Sequence, residues 1–409
     1  MNNTTTGTSP EALRASMVAH VKQAGHARNQ AVEEALSEIP RHRFVPAATA
    51  EDAYANKAVI TKRAEDGSAL SCASVPTVVA MQLDQLDVQP GNRVLEIGAG
   101  TGYNAALLAR LTGPGGEVTT VDIDDEVTFG AREALDGNGF PDVRVIARDG
   151  SLGAQEHAPY DRIILTVGAF DLPPAWWSQL APGGRLVVPL RWRGQTRSVA
   201  FVREGDRLRS DSVQLCGFVP MIGQDSELSG HLDSDGLVTL YWDGDQDISL
   251  DRLDRILATP KTAAWSGVTV GNSEPFDGVW LRMTGTEPGT CRIAADPAAV
   301  EAGLATPAIP SRSPALVEKD SLAYFTFRRL DDGGKQRSEL GAIGHGPTGD
   351  ELAERLSDQI RAWGSARTAD PVITAYPADT PDEQIGSAHI VDKRHSRLVV
   401  SLPVVQGAS

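Results

Sequence analysis

The sequence predicts an α/β protein: a doubly wound parallel sheet in its first half, followed by a separate α+β domain. Three observations carry this. Short apolar runs alternate with helical patterns between about residues 93 and 190, as repeated strand–helix units do. A glycine-punctuated turn, Gly98-Ala99-Gly100-Thr101-Gly102, joins the first of these runs to the helix after it. At 409 residues the chain also exceeds what one ordinary core holds, so two domains are expected.

In chain order, residues before Thr8 are polar and are expected to be disordered. Ser9-Pro10-Glu11 has the cap, proline and early acid of a helix start, and Leu13, Met17 and Val21 then share one face. A second helix presents Val32 and Leu36 and stops before Pro40. Residues 41–46 read as extended, and Ala53-Tyr54 and Val59-Ile60 lie in a loop-rich stretch. Ser71-Cys72-Ala73-Ser74-Val75-Pro76 precedes a helix carrying Val79, Leu83 and Leu86, and Ser74 has the position of its cap. Val94, Leu95 and Ile97 form a strand apolar enough to be covered on both faces. A helix opens near Tyr103, carries Leu107, Leu108 and Leu111, and ends at Gly113. Further strands are predicted at residues 118–121, 143–147, 161–166, 185–190, 198–202 and 212–218.

Composition narrows the function. The chain has 41% hydrophobic and 22% charged residues, and no apolar run approaches the roughly 20 residues of a membrane span. No basic and apolar leader is visible, and three scattered cysteines give neither a disulfide framework nor a metal-ligand spacing. A cytoplasmic protein without a membrane or metal role is expected. The net charge of −16 opposes a nucleic-acid substrate, because phosphate-tracking surfaces are basic.

The glycine turn selects its own ligand. Dinucleotide sites use G-x-G-x-x-G with a pyrophosphate on the helix N-terminus. Here the spacing is G-x-G-x-G, and Glu96 stands two residues before the first glycine, which suits a cationic or zwitterionic head. Asp122, at the end of the next strand, can accept from both ribose hydroxyls. Asp149-Gly150 and Thr166 end further strands, and ligands in such sheets bind outside the carboxyl ends. Glu96, Gly98, Ala99, Gly100, Thr101, Gly102, Asp122, Ile123, Asp149, Gly150 and Thr166 are therefore the candidate cofactor residues. The set resembles the S-adenosylmethionine site of class I methyltransferases, and Asp149 then meets the adenine amino group.

Local patterns in order resemble the protein-L-isoaspartate O-methyltransferases over about residues 30–223. They are Arg43-Phe44-Val45-Pro46, Cys72-Ala73-Ser74-Val75-Pro76, the glycine loop, Arg148-Asp149-Gly150, Ala158-Pro159-Tyr160-Asp161, Leu180-Ala181-Pro182-Gly183-Gly184 and Phe218-Val219-Pro220. The resemblance implies a class I, Rossmann-like fold, S-adenosylmethionine as cofactor, and Ser74 as the active-site residue that contacts the substrate carboxylate. Cys72-Ala73 replaces the family's Thr-Ile, at positions that shape the substrate pocket. Domain boundaries are placed at 1–50 (helical segment), 51–223 (methyltransferase domain) and 224–409.

About 185 residues follow the closing motif. Residues 238–242, 265–270, 279–283, 322–327 and 397–402 read as strands, and Leu352, Leu356, Ile360 and Trp363 lie on one helical face. Residues 265–271, 274–276, 339–347 and 392–395 are similar to C-terminal regions of isoaspartyl methyltransferase homologues from lanthipeptide and related pathways. That similarity implies methylation of an aspartate in a ribosomally made precursor peptide, with this domain recognising the peptide, and a route through succinimide to isoaspartate. An isoaspartate repair enzyme is the alternative, and a non-catalytic peptide-binding module is opposed by the intact Glu96, Gly98, Gly100, Asp122, Asp149 and Ser74. His345 between glycines reads as a packed loop histidine, and the partner is a peptide rather than a nucleic acid or membrane. The oligomeric state is not set by the sequence.

Overall fold

Ser9 starts the first helix as its side chain allows, accepting a hydrogen bond from the Ala12 amide with Pro10 at the first helical position. The computed structural model describes residues 8–332, 335–369, 371–386 and 389–402, so the disorder expected before Thr8 lies outside the described residues. The chain divides into two units: Met1–Leu190 with Thr196–Gln224, and Arg191–Gln195 with Asp225–Ser409.

The first unit runs α1 (Pro10–Gln23), α2 (Gln30–Glu38), a 3₁₀ turn (Arg41–Phe44), α3 (Ala50–Tyr54), and the hairpin β1 (Val59–Arg63) and β2 (Ala69–Ala73). After α4 (Pro76–Leu86) it alternates β3 (Arg93–Ile97), α5 (Tyr103–Thr112), β4 (Glu117–Asp122), α6 (Asp125–Gly137), β5 (Arg144–Ala147), β6 (Tyr160–Leu165) and α7 (Pro174–Gln179). Strands β7 (Leu180–Trp192), β8 (Gln195–Glu204) and β9 (Arg207–Leu215) complete it. Their order is β9-β8-β7-β6-β3-β4-β5, parallel from β7 to β5. The sequence direction reverses between β3 and β6, which marks the ligand crevice of a doubly wound sheet. One core joins Met17, Val21 and Leu36 of the N-terminal helices to Leu83, Leu108, Val94 and Ile164. Residues 10–38 thus pack on the sheet as part of the same unit.

Two local readings change. Residues 41–44 are not extended but coil into a turn, with Arg43 N donating to Pro40 O at 2.9 Å. The reason is Arg41, wholly buried and bonded inward, which pulls its backbone round. Val59-Ile60, expected in a loop, begins β1, whose pairing to β2 is broken by a bulge at Thr61.

The second unit holds β10 (Leu228–His231), β11 (Val238–Trp242), β12 (Thr262–Gly271), α8 (Gly278–Met283), β13 (Thr290–Ala295), α9 (Pro297–Glu301), β14 (Ser313–Glu318), β15 (Ser321–Asp332) and β16 (Lys335–His345). It continues through α10 (Gly349–Gly364), β17 (Val372–Pro377), α11 (Asp382–Ile385), β18 (Ile390–Asp392) and β19 (Ser396–Ser401). Seven strands form an antiparallel sheet ordered β10-β11-β13-β14-β15-β16-β12. Strands β18, β19 and β17 of this unit pair antiparallel in that order. Helix α10 buries Leu352, Leu356, Ile360 and Trp363, the face its periodicity predicts.

Residues 279–283 form a helix where a strand was expected. A five-residue apolar run does not distinguish the two periods, and here Val279 and Met283, four apart, enter one core together. His345 is packed, 1% exposed and stacked on Tyr324 at 5.9 Å, and burial pushes its pKa down. Lys393 reaches the buried Asp243 at 3.7 Å, and Arg397 pairs with Asp392 and Asp382, so both side chains are engaged by acids of their own unit.

The joint between β16 and α10 is tight. A Cβ on Gly344 would lie 1.8 Å from the Gly349 carbonyl oxygen. Gly344→Ala is therefore expected to destabilise the second unit by about 3 kcal/mol, read as an earlier denaturant midpoint. An unchanged midpoint would mean that the joint yields to the added methyl group.

Candidate active site

Strand register brings the candidate residues together. Ile97 lies opposite both Val121 and Leu165, and Asp122 opposite Ala147, so four strands end at one level. Gly98 N donates to Val121 O at 2.8 Å and Thr166 N to Ile97 O at 2.9 Å, extending the ladder into the loops. Above these ends lies a cleft of about 750 Å³, its open mouth included. Gly98, Gly100, Asp122, Ile123, Asp149, Gly150 and Thr166 line it, as the sequence predicts. Ala99 and Gly102 shape the turn behind that wall, and Thr101 lines a neighbouring groove.

Gly98 is required where it stands. Its φ is +99°, and a Cβ there would meet Thr166 Oγ1 at 2.5 Å and Val167 at 3.1 Å. Thr166 closes the loop by donating its hydroxyl to Gly98 O at 2.5 Å.

Glu96, expected at the ligand, lies beneath the loop instead. It is wholly buried, and its two oxygens accept from Asn104 Nδ2 at 2.8 Å and Thr120 Oγ1 at 2.7 Å. Burial raises its pKa to about 7, against the pull of those two hydrogen bonds. It ties β3, β4 and α5 together rather than lining the cleft.

Asp122 does face the cleft. One oxygen accepts from Gly100 N at 3.2 Å, the other from Asp124 N at 3.3 Å, and burial raises its pKa. Asp149 accepts from Ser151 N at 2.9 Å, and its other oxygen makes no hydrogen bond among the described residues. Asp124 caps α6 and pairs with Lys62 at 2.6 Å, which also meets Glu126 at 2.7 Å. These two carboxylates push Lys62 up to about 12. Three acids and one neutralised lysine leave the lining acidic.

The opposite wall lies outside the candidate cofactor residues. Leu70, Ser71 and Cys72 of β2 line it, as do residues 219–222. The latter are strapped across by Gly168 N to Val219 O at 2.7 Å and Met221 N to Gly168 O at 2.8 Å. Only the motifs at Cys72-Ala73 and Phe218-Val219-Pro220 signalled this region. Ser74 lies just past Cys72, half-buried, lining neither hollow. It is not the cap of α4: that position is Val75, with no side-chain cap bond. Its carbonyl accepts from Arg41 Nη2 at 2.7 Å. Arg41 also donates to Ala53 O and Ala73 O and lies over the Tyr103 ring, so it pins this loop from behind.

Residues 12–226 match the model of the family described as protein-L-isoaspartate(D-aspartate) O-methyltransferase. The chain belongs to this family. It is 38% identical over 214 residues to the protein-L-isoaspartate O-methyltransferase of Methanopyrus kandleri, spanning 52% of this chain and 92% of that one. The Aeropyrum pernix protein of the same name is 38% identical over 213 residues, 52% of this chain and 80% of its own. A solved structure titled protein-L-isoaspartate O-methyltransferase aligns with 93% of this chain and 99% of its own, at 20% identity and a TM-score of 0.50. That likeness shows the fold, and it extends well into the second unit.

As a member of the family the chain is a methyltransferase, and the family's methyl donor is S-adenosylmethionine. The cleft fits such a donor. A glycine cradle that a Cβ would fill and an acidic lining suit a nucleoside carrying a cation, and the same acids oppose a pyrophosphate.

The buried Glu96 sets a pH dependence. With its folded pKa raised, the folded state holds a proton that the unfolded chain gives up, so stability falls as pH rises from about 4.5 to about 7. Glu96→Gln removes that fall. Urea denaturation at pH 5 and pH 8 should show the variant gaining on the parent by on the order of 3 kcal/mol between the two. A pH-independent difference would contradict a protonated Glu96.

Proposed function

We propose that the first unit methylates the side-chain carboxylate of an aspartyl or isoaspartyl residue in a peptide. The observation that carries this is the acidic cleft over a glycine cradle at the strand ends, in a chain of this family. Bound there, S-adenosylmethionine supplies a methyl group on a positively charged sulfur. Asp122 accepts from ribose hydroxyls, Asp149 accepts from the adenine amino group, and Gly98 and Gly100 let the backbone come close. Leu70, Cys72, Met221 and Ile222 give the site an apolar side.

A peptide carboxylate has a reference pKa of about 3.9 and is ionised at neutral pH, so no general base is needed. The protein's work is to align the acceptor oxygen and hold water out. Ser74 takes the orienting role, and Arg41 keeps its loop in place. The ester that forms makes methanol a leaving group; the next backbone nitrogen closes on the carbonyl, and hydrolysis of the resulting succinimide gives aspartate or isoaspartate.

The finer reading is an ordinary aspartate in a lanthipeptide-type precursor, with the second unit recognising the peptide. Two observations support it: Cys72, in place of the family's threonine, lies on the cleft wall, and C-terminal segments resemble those of modified-peptide enzymes. Repair of isoaspartyl proteins fits the named relatives.

Mass spectrometry of two incubations with S-adenosylmethionine separates them. One contains a linear isoaspartyl peptide, the other a cyclised precursor peptide. A methyl ester, or later loss of one water from the parent, on the cyclised peptide alone supports maturation. Modification of the linear peptide alone makes this a repair enzyme, and modification of neither removes the carboxylate reading.

A further inference from the structure

One side of the donor cleft is made by a segment with little to hold it. Lys62, Leu70, Ser71 and Cys72 of the β1–β2 hairpin line that side, and Asp122 and Asp124 line the facing one. Of the ten strand residues in the hairpin only Ala73, at its base, is buried. Arg41 fastens the same base through its bond to Ala73 O. Beyond the base, the Lys62 ammonium reaches across the cleft, 2.6 Å from Asp124 Oδ2 and 2.7 Å from Glu126 Oε2. Among the described residues, no other hydrogen bond or ion pair joins residues 59–72 to that facing side.

The irregular pairing of the hairpin centres on Lys62. Thr61 is left out between the pairs Ile60–Cys72 and Lys62–Ser71, and Leu70 is left out between Lys62–Ser71 and Arg63–Ala69. Slips of this kind break the alternation of side chains along a strand and re-aim one of them. The tie that results is weak by nature. Lys62 is 31% exposed and Glu126 84% exposed, and ion pairs open to solvent add little and are screened by salt. A segment with few buried apolar contacts and a screened tie belongs to the low end of local stability, from which lids over ligands are drawn.

We infer that the β1–β2 hairpin is a lid over the donor cleft, that donor and spent donor exchange when it lifts, and that Lys62 is its latch on Asp124 and Glu126. This rests on the donor site described above and concerns the rate of exchange, not the acceptor. Asp124 has a second duty as the cap of α6, so the other two residues carry the test.

Glu126→Gln removes part of the catch at an exposed side chain that does not line the cleft, and Lys62→Met removes the latch. Association and dissociation of S-adenosylhomocysteine are measured by surface plasmon resonance on the whole chain, at low and at high salt. In both variants the two rates are expected to rise together by about threefold, with Kd held to within about twofold and Tm unchanged, because a lid that opens more often lets ligand in and out alike. High salt should speed both rates of the parent protein and leave those of Lys62→Met as they are. Side chains that only touch the ligand behave differently: their loss raises dissociation alone, and Kd weakens by the same factor. That pattern, or parent rates in both variants, overturns the inference. No binding of S-adenosylhomocysteine by the parent protein would remove the donor site and the lid with it. Peptide methylation plays no part in the readout, so the lid stands or falls separately from the acceptor reading.

Discussion

A buried carboxylate sets the shape of the candidate site. Glu96 reaches Asn104 at the start of α5 and Thr120 within β4, so one side chain fixes the turn between β3 and α5 against its neighbouring strand. Burial raises its pKa to about 7 against the pull of these two hydrogen bonds, so the turn rests on a carboxyl that titrates near neutrality. With the turn held, Gly98 keeps its left-handed backbone and Thr166 locks over it. The acids that face the cleft, Asp122 and Asp149, are then free of structural duty beyond local backbone bonds.

The facing wall is held from two sides. Arg41, buried behind it, gathers the carbonyls of Ala53, Ala73 and Ser74, which fixes the end of β2. Lys62, in front, ties β1 to Asp124 and Glu126 at the start of α6. A two-stranded hairpin is marginal by itself, so these ties are what make it a wall. It stands between an acidic hollow suited to a cationic donor and the neighbouring groove.

Much of this was legible because the pattern is local. The strand 238–242 and the buried face of α10 coincide with their sequence periodicity, and the cleft-lining residues follow from where strands end. What stayed hidden depends on tertiary burial. Nothing local distinguishes Arg41, fully enclosed, from exposed Arg43 two residues on. Glu96 sits in a motif that signals a ligand, but its partners, Thr120 and Asn104, come together only when the sheet forms. Residues 279–283 read equally well as strand or helix until a core selects the four-residue period.

The claim on which all else rests is that the glycine turn and Asp122 bind a cationic nucleoside donor rather than a dinucleotide. Calorimetric titration with S-adenosylhomocysteine and with NADH, on the parent protein and on Asp122→Ala, tests it most directly. The account predicts one-to-one binding of S-adenosylhomocysteine, weakened at least tenfold in the variant, and no heat with NADH. NADH binding, or S-adenosylhomocysteine binding indifferent to Asp122, would contradict it.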